Sequence, residues 1–380
     1  MTFRQSLRLA FGIIAMAAIL SFAQDSEMTR HFNYDQKAPL NLKRLGVQRR
    51  AKVTVYDITY DSPKGGVVPA YLVVPKGPGP FAAIIWGHWC WQNSSMRNRK
   101  QFLDEAVAMA PSGVVSLFTD HPISRPGYVP SKDPLDERNA TDFLQQVIDM
   151  RRGVDLLIAR RDVDPKRIAF VGHSCNAGVG ALLSGLDRRF KAFVLMAGST
   201  SDEVSQKSKG FQEFRQNVGS EKFDAFMAKY KYLDQGLYVS HAAPATVFLQ
   251  YGARDDGITP EQARQYAEVV SEPKQFKIYD AEHNLNAQAR RDRIHFLVAQ
   301  LKLRPVPDAV INAIPNLYQP PRPKWLATRP MIIAAPKSFN VDIQNALQYF
   351  MQARFPANDS FIVVWHPYVR PAFLSNQRSL

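Results

Sequence analysis

Cysteine is scarce in this chain: two residues, Cys90 and Cys175, among 380. Two cysteines cannot build a disulfide framework, so a packed core must hold the fold. Neither has companions at metal-ligand spacing, which leaves a zinc site without support. A long apolar run is missing everywhere beyond the first residues, so no stable membrane span is expected once those are removed. Basic residues outnumber acidic ones, 48 to 34, for a net charge of +14. They are scattered as pairs (Arg49-Arg50, Arg151-Arg152, Arg160-Arg161, Arg188-Arg189, Arg290-Arg291). No basic stripe interleaved with aromatics is present, so the charge reads as a solvated surface and nucleic acid is not expected as a partner.

What the chain does have begins at its start. Arg4 and Arg8 precede the apolar run Leu9–Ala23, which closes on Ser21-Phe22-Ala23, a small-x-small cleavage pattern. That is the anatomy of a secretory signal peptide over residues 1–23, with an apolar core too short for a good membrane span. The expected location is therefore periplasmic or secreted. Residues 24–50 are polar and basic and read as a surface segment. From residue 51 to 303, strand and helix patterns alternate after a leading hairpin, the form of a mostly parallel sheet covered by helices on both faces. The strand patterns are Val53–Tyr60, Val67–Pro75, Phe81–Trp86, Val114–Phe118, Ile168–Val171, Ala192–Met196, Ala245–Leu249 and Gln275–Tyr279. Between residues 199 and 241 the alternation is interrupted. Phe211, Phe214, Phe223, Phe226 and Tyr230 stand there at helical spacing, either packing on the main core or forming a small helical cap over the site. Prolines mark residues 304–330 as an extended linker, and residues 331–380 read as a small C-terminal extension.

The stretch that carries chemistry is Arg167–Gly178. The short apolar strand Ile168–Val171 runs into Gly172-His173-Ser174, and the small residues Asn176-Ala177-Gly178 open a helix at once. A strand, a tight turn bearing serine and an immediate helix form a nucleophile elbow, which pushes the hydroxyl out above the sheet. The helix N-terminus adds a positive dipole end where negative charge develops. Serine needs a base to take its proton, and the base needs a carboxylate to set its tautomer. Both follow in the chain. The strand to Tyr251 ends in Gly252-Ala253-Arg254-Asp255-Asp256, and the next ends in Asp280-Ala281-Glu282-His283. Ser174, Asp255 and His283 thus appear in order, each just past a strand, on the edge where open α/β folds bind ligands. Counting back from Pro260 allows Asp256 in place of Asp255. The oxyanion formed on attack needs backbone N–H donors: one from Cys175, after the nucleophile, the other from Trp89 or Cys90 in the loop after Phe81–Trp86. The two cysteines would then flank one hole. An oxidising compartment would permit a disulfide between them, while strain beside so tight a turn would oppose it.

Over residues 51–302 the chain resembles the α/β-hydrolases, and among them the dienelactone-hydrolase-like and acetyl-xylan-esterase-like serine hydrolases. The likeness lies in Ala70–Pro75 leading to Gly79–Ile85, in Val163–Ile168 ahead of Gly172-His173-Ser174, in the Gly252–Asp255 turn and in Ala281-Glu282-His283. It implies an α/β-hydrolase fold and a serine triad hydrolysing small-molecule esters without metal or cofactor. The chain departs from the family pattern at Asn176, where glycine is usual, and at Gly87-His88-Trp89, where a His-Gly pair is common. Dienelactone hydrolases proper use cysteine as nucleophile, so their substrate is not carried over. The reading is an exported carboxylic-ester hydrolase. The alternatives are a serine peptidase of the prolyl-oligopeptidase type, whose usual β-propeller has no counterpart in residues 1–50, and a silent binding protein on the same fold. N-terminal sequencing of the exported protein should begin at Gln24; a mature chain starting at Met1 would contradict the signal peptide.

Overall fold

The computed structural model describes residues 28–91 and 94–317, with the backbone of two short strands, Ile362–Val363 and Phe373–Leu374. The signal peptide expected over 1–23 lies outside the described residues. So do the end of the expected linker, 318–330, and the extension over 331–380 apart from those two strands.

The main strands are β1 (Lys43–Arg49), β2 (Val53–Asp61), β3 (Val67–Pro75), β4 (Phe81–Gly87), β5 (Val114–Thr119), β6 (Val163–His173), β7 (Phe190–Met196), β8 (Thr246–Gly252) and β9 (Lys274–Tyr279). They form one nine-stranded sheet in the order β1-β2-β3-β5-β4-β6-β7-β8-β9. β1, β2, β3 and β5 pair antiparallel, and every pair from β5 through β9 is parallel. Around it lie α1 (Leu103–Met109), α2 (Glu137–Ile158), α3 (Cys175–Leu186), α8 (Pro260–Val269) and α9 (Ala287–Leu301).

Period-two alternation sorts the side chains onto two faces. On β4, Ala82, Ile84 and Trp86 join the cluster made with α1 and α9, while Ala83 and Ile85 join the cluster made with α2, α3 and α8. Both faces are covered, so the strand is apolar along its whole length and buried at every residue. The edge strand β1 behaves differently. Five of its seven residues are exposed and two are half-buried, so it has no apolar alternation to mark it, and residues 24–50 read as a surface segment instead. Ahead of it Phe32 is buried, with its ring edge-on to Tyr232 and Tyr238 at 6.1 and 5.7 Å.

Between β7 and β8 stand four helices, α4 (Asp202–Gln206), α5 (Lys209–Val218), α6 (Ser220–Lys229) and α7 (Gly236–Val239). The Phe211 and Phe214 rings of α5 meet Phe223 of α6 edge-on, at 5.2 and 5.6 Å. The aromatic stripes therefore pack these helices on one another, and α7 packs on α3. Residues 304–317 differ from the expected extended linker. They carry α10 (Asp308–Asn312) and bury Val306, Ile311 and Ile314 in the α1–α9 cluster, because apolar residues sit among the prolines at spacings that reach the core.

An ion pair is buried where α1 meets α9. The Arg293 Nε donates to Glu105 Oε1 at 2.8 Å and its Nη2 to Oε2, and both side chains are buried. Removing one partner strands a charge away from water, which costs about 3–5 kcal/mol. Arg293→Leu is expected to lower unfolding free energy by that amount in urea titrations. The double variant Glu105→Leu with Arg293→Leu should recover most of the loss.

Candidate active site

Ser174 follows β6 and precedes α3 with φ 58° and ψ −120°, a backbone region that costs a non-glycine residue about 1–3 kcal/mol. The surroundings hold it there. Its N–H donates to the Met196 carbonyl of β7 at 2.8 Å. A Cβ on Gly172 would fall 2.1 Å from the Asn176 carbonyl, so only glycine lets the helix turn back this closely. Asn176 occupies the place of the usual last glycine, and its side chain has been given room and work. A Cβ on Gly87 would lie 2.4 Å from the Asn176 Cβ; without one, Asn176 fits against β4. Its Nδ2 donates to the His88 carbonyl at 2.6 Å, and its Oδ1 accepts from Gln146 Nε2 at 3.0 Å. The departure from the family pattern thus ties the elbow helix to the loop after β4.

Asp255 and His283 come together as the spacing predicts. The His283 Nδ1 and Asp255 Oδ2 lie 2.9 Å apart, with both residues buried. The second carboxylate oxygen of Asp255 accepts the Gly257 N–H at 2.7 Å. Asp256 is exposed, so of the two aspartates it is Asp255 that meets the histidine. The loops carrying acid and histidine are also joined through backbone, Arg254 N–H to the Ala281 carbonyl at 2.9 Å. Asp280, beside the histidine loop, pairs instead with Arg254 on the surface.

Two histidines outside this pair organise the site. The His173 ring stacks on His283, centroids 5.3 Å apart, and lies against Trp89 at 5.2 Å. Its Nε2 donates to the His283 carbonyl at 2.8 Å while its Nδ1 accepts from Gln101 Nε2 at 2.5 Å. Gln101 Oε1 in turn accepts the Trp89 N–H at 2.6 Å. One chain of hydrogen bonds therefore links the loop after β4, the residue before Ser174 and the histidine loop. His88 does similar work: its Nε2 accepts the His121 N–H at 3.1 Å, leaving Nδ1–H to donate to the Trp89 carbonyl at 2.6 Å. Burial holds His173 well below the ordinary imidazole range, helped by its neighbour His283, and burial lowers His88 as well. Both stay neutral, as one accepting and one donating nitrogen on each ring requires.

These bonds distinguish the two N–H groups of the loop. The Trp89 N–H is occupied by Gln101. The Cys90 N–H belongs to the peptide whose carbonyl His88 holds, and a trans peptide aims its N–H opposite that carbonyl. Neither Cys90 nor Cys175 donates its N–H to another group among the described residues. Their side chains form a disulfide with Cα atoms 5.7 Å apart, so the strain expected beside the elbow does not prevent the bond. Gln101 escaped the sequence reading because it merely opens a helical pattern; its contact with His173 spans 72 positions. Among the described residues no group of three or more His, Cys, Asp or Glu side chains could hold a metal ion, and no helix is long and apolar enough to cross a membrane. A groove of about 610 Å³ lies within the inserted helices, lined by Asp202, Phe211, Arg215, Phe223, Met227 and Lys231 among others.

A mostly parallel sheet with a strained serine between strand and helix, and acid and histidine at the ends of the next strands, is the α/β-hydrolase fold, and the chain has it. Among solved structures it is similar to the acetyl xylan esterase of Paenibacillus sp. R4, 19% identical with a TM-score of 0.58 over 74% of this chain and 94% of that one. It is similar also to acetyl xylan esterase 1 of Thermoanaerobacterium sp. JW/SL YS485, 16% identical with a TM-score of 0.58 over 73% of this chain and 93% of that one. In sequence it is 23% identical over 302 residues to the polyketide transferase ATR5 of Stachybotrys chlorohalonatus, covering 66% of this chain and 97% of that protein. No protein-family model matches the chain.

The depressed histidines link stability to pH. Below about 6.5, the ordinary histidine value, the unfolded chain takes up protons that buried His173 and His88 refuse. Their contribution is therefore full above that pH and is lost as pH falls, by at most about 1.4 kcal/mol per unit per histidine. Asp142, raised by burial to about 6, and Asp202, raised to about 7 by burial and then by Asp234, act in the opposite sense. The measurement is thus a difference: between pH 7.5 and 5, urea midpoints should fall less in His173→Gln than in the parent chain.

Proposed function

We propose that this protein is an exported serine hydrolase that cleaves carboxylic esters through an acyl-enzyme on Ser174. The observation that carries the reading is the buried Asp255–His283 bond at 2.9 Å, on the sheet edge where the elbow presents Ser174. The Asp255 carboxylate holds the proton on His283 Nδ1, which leaves Nε2 as the base. That nitrogen takes the Ser174 proton as the oxygen attacks the ester carbonyl. The developing oxyanion sits between the N–H groups of Cys175 and Cys90, with the α3 dipole behind it. Imidazolium then returns the proton to the departing alcohol, and water repeats the sequence to free the acid. No metal or cofactor enters any of these steps.

Likeness to acetyl xylan esterases favours an ester over the amide of the peptidase alternative. The likeness to a polyketide transferase favours a second reading, in which the same acyl-enzyme is opened by an acceptor alcohol in place of water. Both share every step up to the acyl-enzyme, so product analysis with and without added alcohols separates them. Export rests on the basic and apolar pattern of residues 1–23.

A fluorophosphonate probe should label the mature protein and not Ser174→Ala, and ester turnover should fall on the order of 10⁴-fold or more in that variant. Asp255→Asn should cost about 10⁴-fold in kcat, with Asp256→Asn near the parent value. Equal labelling of parent and Ser174→Ala would sink the proposal.

A further inference from the structure

We infer that the Cys90–Cys175 cystine is a clamp that positions the oxyanion hole, and that ester turnover falls when this bond is reduced. The inference rests on the ester-cleaving reading above and adds a regulation to it. Both proposed donors are N–H groups of the two half-cystines themselves. One half, Cys175, is buried at the start of α3, on a helix packed beneath the sheet. The other, Cys90, is partly exposed in the loop after β4, 85 residues away in sequence.

The anchors on that loop are unevenly placed. Ahead of Cys90 they are several: Asn176 on the His88 carbonyl, Gln101 on the Trp89 N–H and His88 on the Trp89 carbonyl. Beyond Cys90, the first backbone bond among the described residues is local, Ser94 N–H to the Trp91 carbonyl at 3.1 Å. The peptide bearing the Cys90 N–H is thus held on its carbonyl side by hydrogen bonds. On its other side, among the described residues, it is held by the disulfide at Cys90 and by the Trp91 ring, which lies against Trp89 and His283 at 5.9 and 5.6 Å. The disulfide to the elbow holds the two half-cystines with their Cα atoms 5.7 Å apart, which limits how far the two donors can separate.

Reduction removes that constraint. A dithiol gives up two electrons and two protons to the S–S bond, leaving two thiols and closing to a cyclic disulfide itself. Cys90, the partly exposed half, is the side open to the attacking thiolate, with Cys175 as leaving group. Two thiols in van der Waals contact sit farther apart than two bonded sulfurs, so the two N–H groups lose their fixed spacing. An oxyanion donor acts on the transition state and little on bound substrate, so the loss should appear in kcat more than in KM. Removing one such donor outright costs about 10²–10³-fold in kcat; a misplaced donor should cost somewhat less, about 10–100-fold. The same chemistry makes the enzyme weak in a reducing compartment. It would become active where a disulfide-donating oxidant closes the bond, as the export signal would arrange.

The test uses the full mature protein purified without reductant. Thiol titration in denaturant should find no free thiol before treatment and two after dithiothreitol. With 4-nitrophenyl acetate, well below the melting temperature of the reduced form, kcat should drop about 10–100-fold. KM should move less than about threefold, and removal of reductant under air should restore kcat. The double variant C90A/C175A should show the lowered kcat from the outset and no response to dithiothreitol, which carries the test even where the bond resists reduction. An unchanged kcat in the fully reduced protein and in the double variant, or a loss that follows only the unfolded fraction by circular dichroism, would overturn the clamp. Absence of Ser174-dependent turnover in the oxidised protein would instead remove the ester-cleaving reading, and the clamp with it.

Discussion

The backbone of Ser174 is the constraint on which the site depends. A serine at φ 58° and ψ −120° is unfavourable by itself, and it persists because three strands and a helix close around it. Glycine at 172 lets α3 fold back, β7 accepts the serine N–H, and Gly87 on β4 makes room for Asn176. The strain is spread over the most buried part of the sheet, where the parallel strands β4, β6 and β7 are covered on both faces. Packing around its backbone is therefore what holds Ser174 in this conformation.

Around that serine, polar groups are arranged so that few are left to choose their own geometry. His173 and His88 are buried and neutral, and each uses one ring nitrogen to accept and the other to donate. Gln101 completes the set by accepting the Trp89 N–H. The covalent tie between Cys90 and Cys175 belongs to the same design: it sets a distance that hydrogen bonds on one side of the loop leave free.

The helices inserted between β7 and β8 and the residues after α9 add to this frame without altering it. The insertion is held together by its own aromatic contacts and sits on the elbow helix through α7. The chain after Leu301 returns along the α1–α9 face, and the Leu317 carbonyl accepts from Asn284, the neighbour of His283. Elements that look peripheral in the sequence thus brace the histidine loop and the elbow helix from behind.

Much of this was legible in the residues. Strands buried on both faces are continuous apolar runs, so Phe81–Trp86 and Ile168–Val171 announced themselves, and the turn residues after each strand marked Ser174, Asp255 and His283. Edge strand β1 was not legible, because a strand with neither face buried carries no period, and α10 was hidden among prolines that read as linker. The sequence by itself determined the alternation of strand and helix and the places of Ser174, Asp255 and His283 just past its strands, since both follow from local spacing. Only the tertiary structure decided which aspartate meets the histidine, which N–H of the loop Gln101 takes, and whether two cysteines 85 residues apart are bonded. Each of these turns on distances between residues brought together by the sheet, and no local pattern encodes such distances.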